Sequence, residues 1–223
     1  MLAINEWRFC LRQPQLRLSL LLLPLFAFML AGSAVESTVE GTTEGVPLLK
    51  QMHLMLITIM MLALPIVIGA ISPAVFLRDA HANMQELILT TPVSHTRRWL
   101  LRYGVLVTAF MLLFTLAYGA VVASFAIDFG FQARFVSQSL VNLLLLTGPG
   151  VLFLTAFTLY LALGKQTTLT IYACMAAFGI GYLVLSSMTG SPVLAGSSLV
   201  SESFYQAMLW LDPLGISPLI DVI

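Results

Sequence analysis

The chain has 223 residues, of which 59% are hydrophobic and only 9% charged, with ten basic and ten acidic side chains in balance. Its mean hydropathy of +0.98 excludes a soluble globular fold, because such domains carry about 25% charged residues to face water. The zero net charge gives no reason to expect nucleic-acid binding, and the two cysteines, Cys10 and Cys174, form no disulfide framework or metal-ligand spacing.

A spanning helix needs about 20 mostly apolar residues to cross about 30 Å of hydrocarbon. Five segments meet that demand. They run from about Leu18 to Ala34, Met52 to Leu77, Trp99 to Ile127, Phe135 to Leu163 and Thr168 to Met188. The runs are long and continuous, without the ten-residue alternation of membrane strands. The predicted class is therefore all-α: a polytopic integral membrane protein with about five transmembrane helices in one domain. Ahead of the first span, residues 4–16 mix Trp7, Phe9 and Leu11 with Arg8 and Arg12, the composition of an interfacial segment. The same stretch with Gly32-Ser33-Ala34 also fits a cleaved signal peptide. The long leader containing Glu6 favours a retained first span.

Pro24, Pro65 and Pro73 fall inside spans, where neighbouring helices satisfy the carbonyls that proline frees. Gly148-Pro149-Gly150 predicts a packed kink in the fourth span. On the fifth, Ala173, Ala177 and Gly181 have the small-xxx-small spacing of helix packing. Val35 to Gln51, with Glu36, Glu40 and Glu44, reads as an exposed loop.

Orientation follows the Lys and Arg bias of the loops. Arg8, Arg12, Arg17, Arg78, Arg97, Arg98, Arg102 and Lys165 share one side, against Lys50 and Arg134 on the other. Eight against two places the N-terminus in the cytoplasm, and the protein in the inner or plasma membrane as a multi-pass chain. The tail 189–223 holds apolar fragments such as Phe204 to Leu211 and the run Asp212-Pro213-Leu214-Gly215, but no sixth span. It is expected to be the remnant of a longer architecture.

No catalytic or metal site is expected. Gly164-Lys165 is followed by Gln166, and position 159 is Leu, so the phosphate-loop pattern fails. His53, His81 and His95 lack metal-ligand spacing. The spans hold essentially no charged residues of the kind that mark a proton or ion path.

The most charged stretch is the loop 78–98 and the start of the third span. Asp79 is placed to cap a short helix, in which Met84, Leu87 and Ile88 share one face and Glu86 lies on another. Pro92 stops it, since Thr91 is forced out of the helical region. Ser94 is placed to cap the next helix, and Arg97 sits beyond it. The pattern is an amphipathic helix lying between two spans.

The run Arg78-Asp79, Glu86-Leu87-Ile88, Thr91-Pro92-Val93-Ser94 and Arg97 resembles the first cytoplasmic loop of type-2 (ABC-2-type) ABC transporter permeases. A weaker likeness extends to Glu6, Arg12 and the first span, where that family has an interfacial elbow helix. The resemblance implies six spans and a membrane-spanning permease subunit of an ATP-driven exporter. It also implies a second permease subunit and cytosolic ABC ATPase partners that hold the ATP and magnesium, this chain carrying no cofactor. The residues implied in ATPase coupling are Met84, Glu86, Leu87, Ile88, Thr91, Pro92, Val93, Ser94 and Arg97. The alternative is a membrane scaffold or assembly factor that docks another cytosolic protein through the same loop.

Overall fold

The computed structural model describes residues 2–39, 48–78, 94–165 and 167–188. Among these the chain is all-helical. The helices are α1 (Leu2–Arg12), α2 (Pro14–Val39), α3 (Leu48–Phe76), α4 (His95–Phe129), α5 (Ala133–Asn142), a π turn (Leu143–Thr147), α6 (Gly148–Lys165) and α7 (Thr168–Met188). Three of the described stretches are long and apolar enough to cross a membrane: Pro14–Ser33, Thr96–Phe129 and the composite Ala133–Gly164. Shorter apolar stretches, Ala63–Phe76 in α3 and Thr168–Gly181 in α7, pack beside them.

A proline causes the break between α1 and α2. Pro14 has no N–H to offer the Cys10 carbonyl, and its ring would clash there. Gln13 N–H donates to that carbonyl instead, at 3.1 Å. Arg17 Nε donates to the Leu11 carbonyl at 2.9 Å, satisfying another acceptor at the end of α1. Pro14 itself suits the first position of α2, where an N–H would have no helical partner. The residues expected to form one interfacial segment therefore divide, and Leu16 is buried as part of α2.

α2 is apolar on both faces. Leu23, Ala27 and Ala31 are buried at four-residue spacing, whereas Leu18, Leu21, Leu22, Leu25 and Met29 are exposed. A helix greasy all round needs an apolar solvent on its outer side. Lipid is as apolar as leucine, so helix association rests on close packing. The small Ala27 and Ala31 suit that, and α2 lies along α4. α4 carries several of the largest buried side chains, among them Arg102, Phe110, Phe114, Tyr118 and Phe125. It is 35 residues long, about 52 Å at 1.5 Å per residue, so it outruns the hydrocarbon. Gly130 ends it with φ 78°, a left-handed conformation that only glycine adopts without strain. Phe125 and Phe135 then meet edge to face, 6.0 Å apart, across the turn into α5.

The kink expected at Gly148-Pro149-Gly150 takes a specific form. Pro149 cannot donate to the Leu145 carbonyl, and its ring needs room there. The preceding turn widens into the π form, and Gly148 N–H reaches back to the Leu143 carbonyl. Two other expectations are corrected. Helix continues to Val39 and resumes at Leu48, so both ends of the segment read as the Val35 to Gln51 loop are helical; backbone hydrogen bonding overrides their polar composition. The stripe Ala173, Ala177 and Gly181 faces outward and is exposed. The face of α7 that packs carries Ile171 and Met175. There a Cβ on Gly69 of α3 would stand 3.0 Å from Met175 Cβ, and one on Gly179 would stand 3.4 Å from Pro65. Small residues do mediate the helix contact, one register away from the expected stripe.

Candidate coupling site

Of the residues implied in coupling, Met84, Glu86, Leu87, Ile88, Thr91, Pro92 and Val93 lie outside the described residues, as does Asp79. Ser94 and Arg97 are described, and both are exposed at the start of α4. Ser94 holds the cap position, with φ −58° and ψ 140°, but its hydroxyl makes no capping bond. The capping role read for its side chain is thereby corrected: the contact seen is backbone only, Arg98 N–H to the Ser94 carbonyl at 3.3 Å.

The best-defined polar constellation lies where that loop is rooted. Glu6 of α1 is buried, because α1 turns the face bearing Glu6 and Cys10 inward while Ile4, Arg8 and Arg12 stay exposed. Arg78, just past the end of α3, grips the Glu6 carboxylate with both terminal nitrogens, Nη1 to Oε2 at 3.2 Å and Nη2 to Oε1 at 3.0 Å. Arg102, two turns into α4, brings its Nε to 3.6 Å from Oε1. The paired side chains differ in setting: Arg78 is 30% exposed and Glu6 7%, whereas Arg102 is 2% exposed.

Aromatic rings wall the cluster. The Arg78 guanidinium lies 4.4 Å from the centre of the Phe9 ring, and that of Arg102 lies 5.8 Å from Trp99. Both distances are within cation–π range. Phe76 and Trp99 rings stand 5.9 Å apart, joining the end of α3 to the start of α4. Burial pushes the thiol of Cys10, one turn from Glu6, up to about 11, and the Glu6 charge adds to the effect. Cys10 is therefore an inert neutral thiol near neutral pH.

Two guanidinium groups on one largely buried carboxylate are weak evidence for stability, because desolvation offsets much of the attraction. The physical content is mechanical. One carboxylate on α1 contacts residues on both sides of segment 79–93, and so ties α1 to the end of α3 and to α4. The sequence offered Glu6 as a lone acid among arginines. It offered Arg78 and Arg102 only as loop charges, and their convergence on Glu6, 72 residues away in the chain from Arg78, has no local signal.

A second polar group lies inside the helical bundle. Tyr118 and Thr147 share a hydrogen bond of 2.6 Å, and the Tyr118 hydroxyl also donates to the Leu56 carbonyl at 3.4 Å. The π turn puts Thr147 at that meeting point. Asn142, fully buried one step before the turn, has neither amide atom hydrogen-bonded.

No known family model matches this chain, and no curated protein or solved structure is similar to it.

Proposed function

We propose that this chain is the membrane-spanning permease subunit of an ATP-driven ABC exporter of the ABC-2 type. In this reading α3 and α7 are spans alongside the three long apolar stretches, and a second permease subunit completes the pathway. Segment 79–93 docks on a separate cytosolic ATPase that binds ATP and magnesium. The observation that carries the reading is the Glu6–Arg78–Arg102 cluster. A docking segment transmits force only if its roots are fixed to the helices it must move, and this cluster ties both flanks to α1. Motion then passes as a shift between two packed arrangements, with no catalytic residue required of this chain.

The test is co-purification with a candidate ATPase and stimulation of its ATP hydrolysis in lipid vesicles. Leu87→Asp should place an unpaired charge in the docking face, costing roughly 2–5 kcal/mol, a loss of about thirty-fold or more in association. Insertion and thermal stability of the variant should be unchanged. Full co-purification and stimulation by a normally inserted Leu87→Asp protein would remove the coupling role and favour the scaffold.

A further inference from the structure

An apolar groove of about 380 Å³ opens between α3 and α7. Ile66, Gly69 and Ala70 form one wall, Tyr172 and Ala176 the other, and Gln15 at the start of α2 lies at its margin. The walls face away from the bundle: Ile66 is 64% and Tyr172 41% exposed. The close approach at Gly69 and Met175 makes the floor.

Basic residues flank Gln15 in the chain. A chain segment extends at most about 3.6 Å per residue, so the Cα of Arg12 lies within about 11 Å of that of Gln15, and the Cα of Arg17 within about 7 Å. Both arginines are exposed, as is Arg8 one turn before Arg12. Arg17 uses its Nε on the Leu11 carbonyl, which leaves its terminal nitrogens as donors. The nearest acid in sequence, Glu6, is buried and held by Arg78, so it does not neutralise this end. Among the described residues neither Arg12 nor Arg17 forms an ion pair, and apolar walls with such guanidinium groups nearby complement a molecule with a hydrocarbon chain and an anionic head.

We propose that this groove is a binding site for an anionic phospholipid. One acyl chain lies along Ile66, Gly69, Ala70, Tyr172 and Ala176, and the phosphate meets Arg12 beyond Gln15. A neighbouring helix could cover the same walls, but it would leave the arginine margin without a counter-charge. The proposal requires that the protein sits in a bilayer and is independent of any transport role, so its test needs no ATPase.

The experiment is native mass spectrometry of the full chain, purified in detergent and exchanged against phosphatidylglycerol or phosphatidylcholine. The expected result is one retained phosphatidylglycerol per chain, held in preference to phosphatidylcholine. Arg12→Gln should reduce that preference about five-fold, the worth of one basic residue at an anionic headgroup. Ala176→Phe should fill the groove and abolish retention of both lipids. Arg134→Gln, an exposed arginine at the start of α5, should change nothing. Equal retention of the two lipids by the unaltered chain would overturn the proposal, as would an Arg12→Gln preference unchanged from it. Loss of a dimer in Ala176→Phe, with lipid retention intact, would also overturn it and make the groove a seam between two copies.

Discussion

Glu6 serves two arginines, and that asymmetry orders the effects of removing each partner. Glu6→Gln would leave Arg78 and Arg102 facing each other with no counter-charge from α1, and Arg102 is almost fully buried. Breaking a buried pair in this way costs about 3–5 kcal/mol. Arg78→Met removes the bidentate partner, but Arg102 still faces Glu6, and Arg78 is partly exposed, so its loss should be smaller. Arg102→Met keeps the shorter Arg78 contacts and gives up the longer 3.6 Å contact, so it should cost less than Glu6→Gln. Thermal unfolding of the three variants in one detergent checks this order; equal losses from all three would mean that Glu6 does not organise the cluster. Cys10 gives a pH prediction. With its thiol raised from 9.0 to about 11, the native state keeps a proton that the unfolded chain releases. Its contribution to stability should be constant below about pH 9 and decline between about pH 9 and 11. A Cys10→Ala variant should lose that slope in a pH series of unfolding midpoints.

At the scale of helices, two contacts set the arrangement of the bundle. α3 and α7 meet where glycine leaves no room for a side chain, and Gly69→Leu should force them apart. An alanine Cβ would sit 3.0 Å from Met175 Cβ, where its crowding is set against the helix stability gained over glycine, so the larger Gly69→Leu is the change that should cost about 1–3 kcal/mol or more for overpacking. Met175→Ala combined with Gly69→Leu should recover part of the loss, and failure of that rescue would mean the two residues do not meet. The other contact is Tyr118, which joins α4 to α3 and the π turn. Tyr118→Phe keeps the ring and deletes the 2.6 Å hydrogen bond to Thr147, a loss of about 1 kcal/mol inside a helical membrane bundle. Tyr118→Ala adds a cavity and should cost about 3–5 kcal/mol. Near-equal losses in the two unfolding assays would show that the hydroxyl, not the ring, dominates. These elements also show where sequence reading stops. Helix starts and breaks follow from residues such as Pro14, Gly130 and Pro149, whose effects are local and chemical. Which face of α7 packs was not legible, because Ala173-xxx-Ala177-xxx-Gly181 and the true contacts at Met175 and Gly179 are both compatible with small-residue spacing. Only the position of α3 decides between them.

At the scale of the whole molecule, the all-helical character was legible in long apolar runs, because the hydrocarbon thickness fixes the length of a spanning element. The ion cluster was not, because Glu6, Arg78 and Arg102 lie far apart in the chain, on or beside three different helices, and no periodicity links them. Its position does bear on topology. Glu6, Arg78 and Arg102 meet at one end of the bundle, and Arg8, Arg12, Arg17 and Arg97 are exposed on the helices that meet there. Lys50 and Arg134 belong to the opposite ends of α3 and of the α5–α6 span. The basic bias of the loops is therefore gathered at a single end rather than spread along the helices. Basic residues flanking spans are retained on the cytoplasmic side, so the end bearing α1 and Ser94 should face the cytosol and Thr42 should face outward. The check is a pair of single-cysteine variants, Ser94→Cys and Thr42→Cys, in a background with Cys10 and Cys174 replaced by alanine. A membrane-impermeant maleimide applied to intact cells should label Thr42→Cys at once and Ser94→Cys only after the cells are opened. The reverse order of labelling would invert the molecule, place segment 79–93 outside, and remove any ATPase from its reach.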